Sequence, residues 1–227
     1  MEVRMEAQGQ AVVSDKQPNR YLIVGYSRSG TTVIHLALKG HPQISTFNGE
    51  LRPEPFFNLG ISAFNGSPAG NSEVELERGH RAVFDAITSL DCDSPLAIGA
   101  KTACNTTTHA GNIVTVLREH FPDMKVIHTL RADIVAHFGS RIVSRKTGVM
   151  HSWNEGFSRE RKTEMVKLDR WQLLNFAMQV EGVNEVFADL KTSHDYVTVE
   201  NGAYMDDPEA THQALFEFVG VACREVT

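Results

Sequence analysis

Residues 25–32 read GYSRSGTT, and they join two segments of opposite pattern. Before them runs RYLIVGY (20–26), a short apolar run closed by glycine, as is typical of a buried parallel strand. After them, TTVIHLALKG (31–40) has the spacing of a helix that ends at a glycine. The sequence therefore predicts a strand, a glycine-containing loop and a helix in succession.

The loop nearly matches the phosphate-binding pattern G-x-x-x-x-G-K-[ST]. Gly25, Gly30 and Thr32 occupy the required places, but Thr31 stands where the pattern has lysine, and the cation of the loop is Arg28. Backbone N–H groups of such a loop and the N-terminus of the next helix attract an anion. The hydroxyl donors are Ser27, Ser29, Thr31 and Thr32. We expect an anion-binding loop, although a turn that binds nothing would be the simpler alternative.

Strand-like and helix-like segments alternate along the rest of the chain. Further apolar runs of strand length occur at 95–102, 124–131 and 195–200. Segments of helical spacing occur at 73–90, 110–121, 133–146, 161–190 and 207–220. This alternation predicts an α/β three-layer sandwich with a mainly parallel central sheet, with ligands at the carboxyl ends of the strands. We expect 1–19 to form a flexible tail and 20–227 a single domain.

Composition limits the class of protein and of ligand. The 227 residues are 41% hydrophobic and 22% charged, and the net charge of −6 argues against nucleic-acid binding through an overall positive field. The three cysteines form no C-x-x-C and the ten histidines no H-E-x-x-H, so we expect no metal site. Without a signal-peptide pattern or an apolar run of about 18 residues, the sequence predicts a cytoplasmic protein with no membrane span.

The loop also resembles a known family. YSRSGTT (26–32) is similar to the 5′-phosphosulfate loop of sulfotransferases, whose pattern is [PS]-[KR]-[ST]-G-[ST]-[TS]. The resemblance implies a P-loop nucleotide-kinase-like fold and 3′-phosphoadenosine 5′-phosphosulfate (PAPS) as co-substrate. It also accounts for the missing lysine, because PAPS has no γ-phosphate and needs no metal. The residues that would hold its 5′ end are Ser27, Arg28, Ser29, Gly30, Thr31 and Thr32.

Two further segments resemble the same family, in the same order. KVIHTLRADIVAHFGSRI (125–142) is similar to its 3′-phosphate segment, in which a strand ends in arginine and the next helix bears a serine. The resemblance implies that Arg131 and Ser140 bind the 3′-phosphate, which an arginine at a strand end and a helix hydroxyl are suited to do. IGAKT (98–102) resembles the strand that ends beside the reaction centre, which implies that Lys101 steadies the sulfuryl oxygens.

The resemblance is closer to some branches of the family than to others. The stretch 196–221 is similar to the family's closing segment, which is mainly structural. However, no R-K-G-x-x-G, which cytosolic members use to grip the 3′-phosphate, follows residue 200. The nine-residue separation of Arg131 and Ser140 is closer to the bacterial carbohydrate sulfotransferases. The chain therefore looks more like the bacterial carbohydrate and tyrosylprotein types than the cytosolic type.

The general base has three candidates. Many cytosolic members have a histidine where this chain has Ala103. HPQISTFNGE (41–50) resembles the HPD…GE segment of the tyrosylprotein and related types, which implies Glu50 as the base. Phenylalanines nearby in the sequence would raise the pKa of this carboxyl group by desolvation, as suits a base near neutral pH. Glu54 and His109 are the alternatives, and each of the three could instead be a solvated or capping residue.

The resemblance thus implies a PAPS-dependent sulfotransferase that acts on a hydroxyl of a small-molecule or carbohydrate acceptor. Arg28 would neutralise charge on the leaving phosphate, an electrostatic effect that is usually large. A P-loop small-molecule or nucleotide kinase is a second hypothesis, with Asp133 as magnesium ligand, but its loop lysine is absent. A noncatalytic nucleotide-binding protein of the same fold is a third.

Overall fold

A computed structural model describes residues 17–46, 95–147 and 167–222. The strands of these ranges are β1 (Asn19–Gly25), β2 (Ile44–Thr46), β3 (Ala97–Lys101), β4 (Lys125–Leu130) and β5 (Tyr196–Glu200). The helices are α1 (Thr31–Lys39), α2 (Thr107–His120), α3 (Ile134–Thr147), α4 (Arg170–Ala188), α5 (Asn201–Asp206) and α6 (Pro208–Phe218). A short 3₁₀ turn, Asp189–Thr192, follows α4.

The strands form one parallel sheet in the order β2-β3-β1-β4-β5. β1 lies at its centre, with Leu22 opposite Ala100 of β3 on one side and Val126 of β4 on the other. The chain builds β2 and β3 on one side of β1, and then β4 and β5 on the other. The direction of winding therefore reverses at the carboxyl end of β1, which is where open α/β sheets bind ligands. The predicted anion loop begins at this point.

Helices cover both faces of the sheet. Leu22 and Val24 of β1 pack against α2 and α4, together with buried residues of β3 and β4. Tyr21 and Ile23, which alternate with them, pack against α1 and α6. Because both faces are buried, the central strand is apolar throughout rather than alternating. The α/β three-layer sandwich of P-loop nucleotide-kinase-like class, with a parallel central sheet, is confirmed.

Some elements differ from the sequence expectation. β1 begins at Asn19, inside the segment predicted as a tail, and the Asn19 N–H donates to the Leu96 carbonyl at 2.9 Å. Residues 1–16 of that predicted tail lie outside the described residues. β2 and α5 are too short to show a periodic pattern, and the sequence analysis did not find them. In the described ranges, no helix combines the length and hydropathy needed to span a bilayer.

The long helix expected over 161–190 begins later than its pattern indicates. Its described part starts at Arg170, because the Asp169 side chain accepts the Gln172 N–H at 2.9 Å and so caps the helix. The helix predicted at 73–90 lies outside the described residues.

Candidate functional site

The loop between β1 and α1 has a tightly curled backbone. Arg28 and Gly30 both lie in the left-handed region, with φ of 74° and 111°. The Ser29 N–H between them donates to the Tyr26 carbonyl at 3.0 Å. A side chain at position 30 would be strained by that φ, and its Cβ would lie 2.8 Å from Asn201 Nδ2. Glycine at position 30 therefore permits both the turn and the close approach of α5.

Hydroxyl groups fasten the loop to the sheet. Ser29 is buried, and its Oγ lies 2.7 Å from Thr129 Oγ1 of β4. Since Thr129 donates its own proton to the Val24 carbonyl at 3.3 Å, Ser29 is the donor of the pair. A Cβ at Gly25 would lie 2.6 Å from Ser29 Oγ and 2.8 Å from the Thr129 carbonyl oxygen. This close packing explains the first glycine of the motif and gives Ser29 a role in holding the loop.

The predicted lysine lies beside the predicted loop. Lys101 ends β3, the neighbour of β1, and only 5% of its surface is exposed. Its Nζ donates to Thr32 Oγ1 in the first turn of α1 at 3.1 Å. The structure therefore places a buried cation at the N-terminus of the helix that follows the loop. Both features attract negative charge to this place.

The residues predicted for the two ends of the nucleotide also come together. Arg28 Nε donates to Ser140 Oγ on α3 at 3.3 Å. Burial, and secondly the nearby charge of Arg131, lower the pKa of Arg28. The side chains of Arg28, Arg131 and Ser140 therefore form one cationic cluster beside the end of β4.

Arg131 has an unsatisfied donor in this cluster. It follows directly after β4, and its Nε is buried without a hydrogen-bond partner among the described residues. A buried donor without a partner costs free energy of about 1–3 kcal/mol, and more for a charged group. A bound anion would remove that cost. The cluster thus fits a ligand that carries phosphate.

His137 is a site residue that the sequence analysis missed. It is fully buried on α3, and its Nε2 donates to the carbonyl oxygen of Ser27 at 2.8 Å. Burial lowers the pKa of His137 to about 4 against the opposing effect of this hydrogen bond, and three neighbouring arginines lower it further. The imidazole is therefore neutral near pH 7 and supports the loop by hydrogen bonding. The sequence feature that could have indicated this role is the position of His137 three residues before Ser140, on the same face of the helix.

Arg141 was missed as well. Its guanidinium lies over the rings of Tyr26 and Phe176, at 5.5 and 5.4 Å from their centroids, and it donates to the Tyr26 hydroxyl. Tyr26 is the loop's first residue after Gly25 and is itself buried. The arginine therefore connects α3 and α4 to the start of the loop.

Comparison with known proteins identifies the family of the chain. A protein-family sequence model described as "Sulfotransferase family" matches residues 21–225, almost the whole length of the chain. The chain belongs to the sulfotransferase family. No curated protein matches it.

Three solved sulfotransferase structures share its fold. The sulfotransferase from Alicyclobacillus acidocaldarius is 17% identical with a TM-score of 0.53, and the match covers 91% of this chain and 82% of that chain. The sulfotransferase domain of the Synechococcus PCC 7002 olefin synthase is 17% identical with a TM-score of 0.52, over 94% and 78%. The sulfotransferase domain from the curacin biosynthetic pathway is 13% identical with a TM-score of 0.52, over 92% and 76%. The family suggested by the loop is confirmed.

The structure describes only one of the three candidate bases. Glu50 and Glu54 lie outside the described residues. His109 lies in the first turn of α2, where its backbone N–H donates to Thr106 Oγ1 at 3.3 Å, and its side chain is half-buried. Within the described ranges, no group of three or more His, Cys, Asp or Glu side chains could hold a metal ion.

Proposed function

We propose that this protein is a PAPS-dependent sulfotransferase that transfers a sulfuryl group to a hydroxyl of a small-molecule or carbohydrate acceptor. The observation that carries the proposal is the cationic cluster of Arg28, Arg131 and Ser140 at the switch point of the sheet. PAPS has two separated anionic ends, and in this proposal the loop binds one of them and the turn between β4 and α3 binds the other. The orphaned Nε of Arg131 fits the 3′-phosphate end.

The residues of the loop would hold the 5′-phosphosulfate. Backbone N–H groups at the start of α1 and the hydroxyls of Ser27, Thr31 and Thr32 would contact its oxygens. Arg28 would neutralise the charge that develops on the leaving phosphate as its bond to sulfur breaks. Lys101, at 3.1 Å from Thr32, would stabilise the sulfuryl oxygens while the acceptor oxygen bonds to sulfur.

A general base must take the proton of the acceptor hydroxyl. We propose Glu50 for this role, with Glu54 and His109 as alternatives, and the proposal rests on the family resemblance of residues 41–50. We further propose that the predicted domain 20–227, which in the structure begins one residue earlier with Asn19 of β1, is a single sulfotransferase domain and that it works in the cytoplasm.

A kinase would need a carboxylate to hold magnesium at the strand ends. Asp133 is exposed, and its side chain accepts the Ala136 N–H at 2.8 Å, which caps α3. The loop also lacks the lysine that would contact a γ-phosphate. Both observations favour the sulfuryl transfer over the phosphoryl transfer.

Radiolabelled donors test the proposal directly. The protein is incubated without metal with ³⁵S-labelled PAPS and a panel of sugar, lipid and polyketide hydroxyl acceptors, and in parallel with magnesium and γ-³²P-labelled ATP. We expect label transfer from PAPS to at least one acceptor and none from ATP. Transfer from ATP would instead establish a kinase. Binding of the nucleotide with no transfer across the panel would favour a noncatalytic protein of the same fold.

A further inference from the structure

The corner between β5 and α5 is tied to the turn that carries Arg131. Glu200 ends β5 and pairs beside Leu130, which ends β4. One oxygen of its carboxylate accepts the Ala132 N–H at 3.0 Å, and the other accepts the Ala203 N–H at 2.9 Å. A single side chain therefore caps α5 and, with its other oxygen, fixes the backbone directly after Arg131.

The corner between β5 and α5 also contacts the loop between β1 and α1. Asn201, the next residue, lies so close to Gly30 that its Nδ2 would be 2.8 Å from a Cβ at that position. Two consecutive residues thus contact both proposed parts of the ligand site: Asn201 lies against the loop, and Glu200 binds the turn between β4 and α3.

A carboxylate is the group that suits this arrangement. Both of its oxygens accept hydrogen bonds from backbone N–H donors, whereas an amide has one accepting oxygen and would turn its NH₂ group towards the second N–H. These two bonds are the main reason that the pKa of Glu200 is lowered, and the charge of Arg131 contributes in the same direction.

We propose that Glu200 is a positioning residue for the 3′-phosphate of PAPS: by accepting the Ala132 N–H it holds the turn that presents Arg131 to the ligand. This inference rests on the proposed function. It differs from a role in helix capping alone, because a cap alone would leave the preference for the 3′-phosphate unchanged. Asp207 provides the matched control, since it caps α6 by accepting the Ala210 N–H at 3.0 Å.

The experiment compares Glu200→Gln with Asp207→Asn by calorimetric titration. Each protein is titrated with adenosine 3′,5′-bisphosphate and with 5′-AMP, which lacks the 3′-phosphate. The Kd for 5′-AMP divided by the Kd for the bisphosphate is the ratio that measures the preference for that group. We expect Glu200→Gln to lower this ratio about tenfold, because Arg131 then loses its charge-assisted contact with the 3′-phosphate. The Kd for 5′-AMP should change less than threefold. Asp207→Asn should leave the ratio unchanged.

A second pair of variants shows whether Glu200 acts through Arg131. Arg131→Ala should lower the ratio by itself, and adding Glu200→Gln to it should have no further effect on the ratio. If Glu200→Gln does not fold, Glu200→Asp, which keeps the charge but shortens the reach, is expected to lower the ratio in the same way.

The outcomes separate this inference from the proposed function. An unchanged ratio in the Glu200 variants, while Arg131→Ala lowers it, would overturn the positioning role and leave the sulfotransferase proposal intact. Equal weakening of the binding of both nucleotides would also overturn it, since that result indicates a general destabilisation of the protein. A wild-type protein that shows no preference for the bisphosphate would overturn the proposed 3′-phosphate site itself.

Discussion

His137 links the loop between β1 and α1 to the stability of the protein at acid pH. The glutamine amide of His137→Gln can keep a donor near the position of Nε2, and so keep the hydrogen bond to the Ser27 carbonyl, but it cannot take up a proton. His137→Phe removes both the proton uptake and the hydrogen bond. The two variants therefore separate the titration of the side chain from its support of the loop.

The sign and the size of the effect follow from the lowered pKa. Burial lowers the pKa of His137 from its ordinary 6.5 to about 4. Between these values the unfolded chain takes up a proton that the folded protein refuses, so the free energy of unfolding falls as pH decreases through this window. One such group changes it by at most about 1.4 kcal/mol per pH unit, and by about 3 kcal/mol in total.

Urea unfolding at several pH values between 4.5 and 7.5 measures this dependence. Burial also lowers the pKa of His35 and of His128 to about 4, so the wild type should lose stability with acid through three groups. His137→Gln and His137→Phe should each reduce the number of protons taken up on unfolding by about one. Identical pH dependence in the wild type and both variants would refute the assignment of a neutral, buried imidazole.

The variants should differ in ligand binding. We expect His137→Gln to bind adenosine 3′,5′-bisphosphate within about threefold of the wild type, whereas His137→Phe leaves the Ser27 carbonyl without its donor and weakens binding about tenfold. Equal affinities of the two variants would show that this hydrogen bond does not shape the loop.

Three other substitutions test the contacts around the loop. Gly25→Ala would press a Cβ to 2.6 Å from Ser29 Oγ, so we expect a loss of about 1–3 kcal/mol in urea unfolding, and an unchanged midpoint would contradict this packing. Thr129→Val removes the buried hydroxyl that Ser29 contacts at 2.7 Å and should cost about 1 kcal/mol by the same assay; a neutral result would argue against that bond. Lys101→Met removes the cation beside Thr32 and should slow sulfate transfer about 10²–10³-fold with little change in the Kd for adenosine 3′,5′-bisphosphate. Parallel losses in rate and affinity would place Lys101 in ground-state binding.

The loop and the fold could be predicted because their signals are local. The apolar run of β1, the glycines of the loop and the helical spacing of α1 lie within about twenty consecutive residues. Parallel strand order then brings the residues that follow β3 and β4 to the loop. In this way Lys101, at the end of β3, contacts Thr32, and Ser140, on the helix after β4, contacts Arg28.

The supporting residues could not be predicted in this way, because their roles depend on contacts between distant parts of the chain. His137 meets the Ser27 carbonyl across 110 residues, and Glu200 meets the Ala132 N–H across 68. Both residues lie in segments that resemble the family, 125–142 and 196–221, but neither is a position to which the resemblance assigns a ligand contact. Their neighbours in sequence are typical of a helix and of a strand end, and this local pattern does not indicate contacts with distant backbone groups.

Calorimetric titration of the wild type and Arg28→Ala with adenosine 3′,5′-bisphosphate, in EDTA, tests the central claim most directly. The account predicts that the wild type binds without metal and that Arg28→Ala binds at least about tenfold more weakly, because a charge-assisted contact with phosphate is lost. Arg170→Ala, at the exposed start of α4, should bind like the wild type. Absence of binding by the wild type, or equal affinity of Arg28→Ala, would contradict the claim that this loop holds a nucleotide anion with arginine in place of lysine.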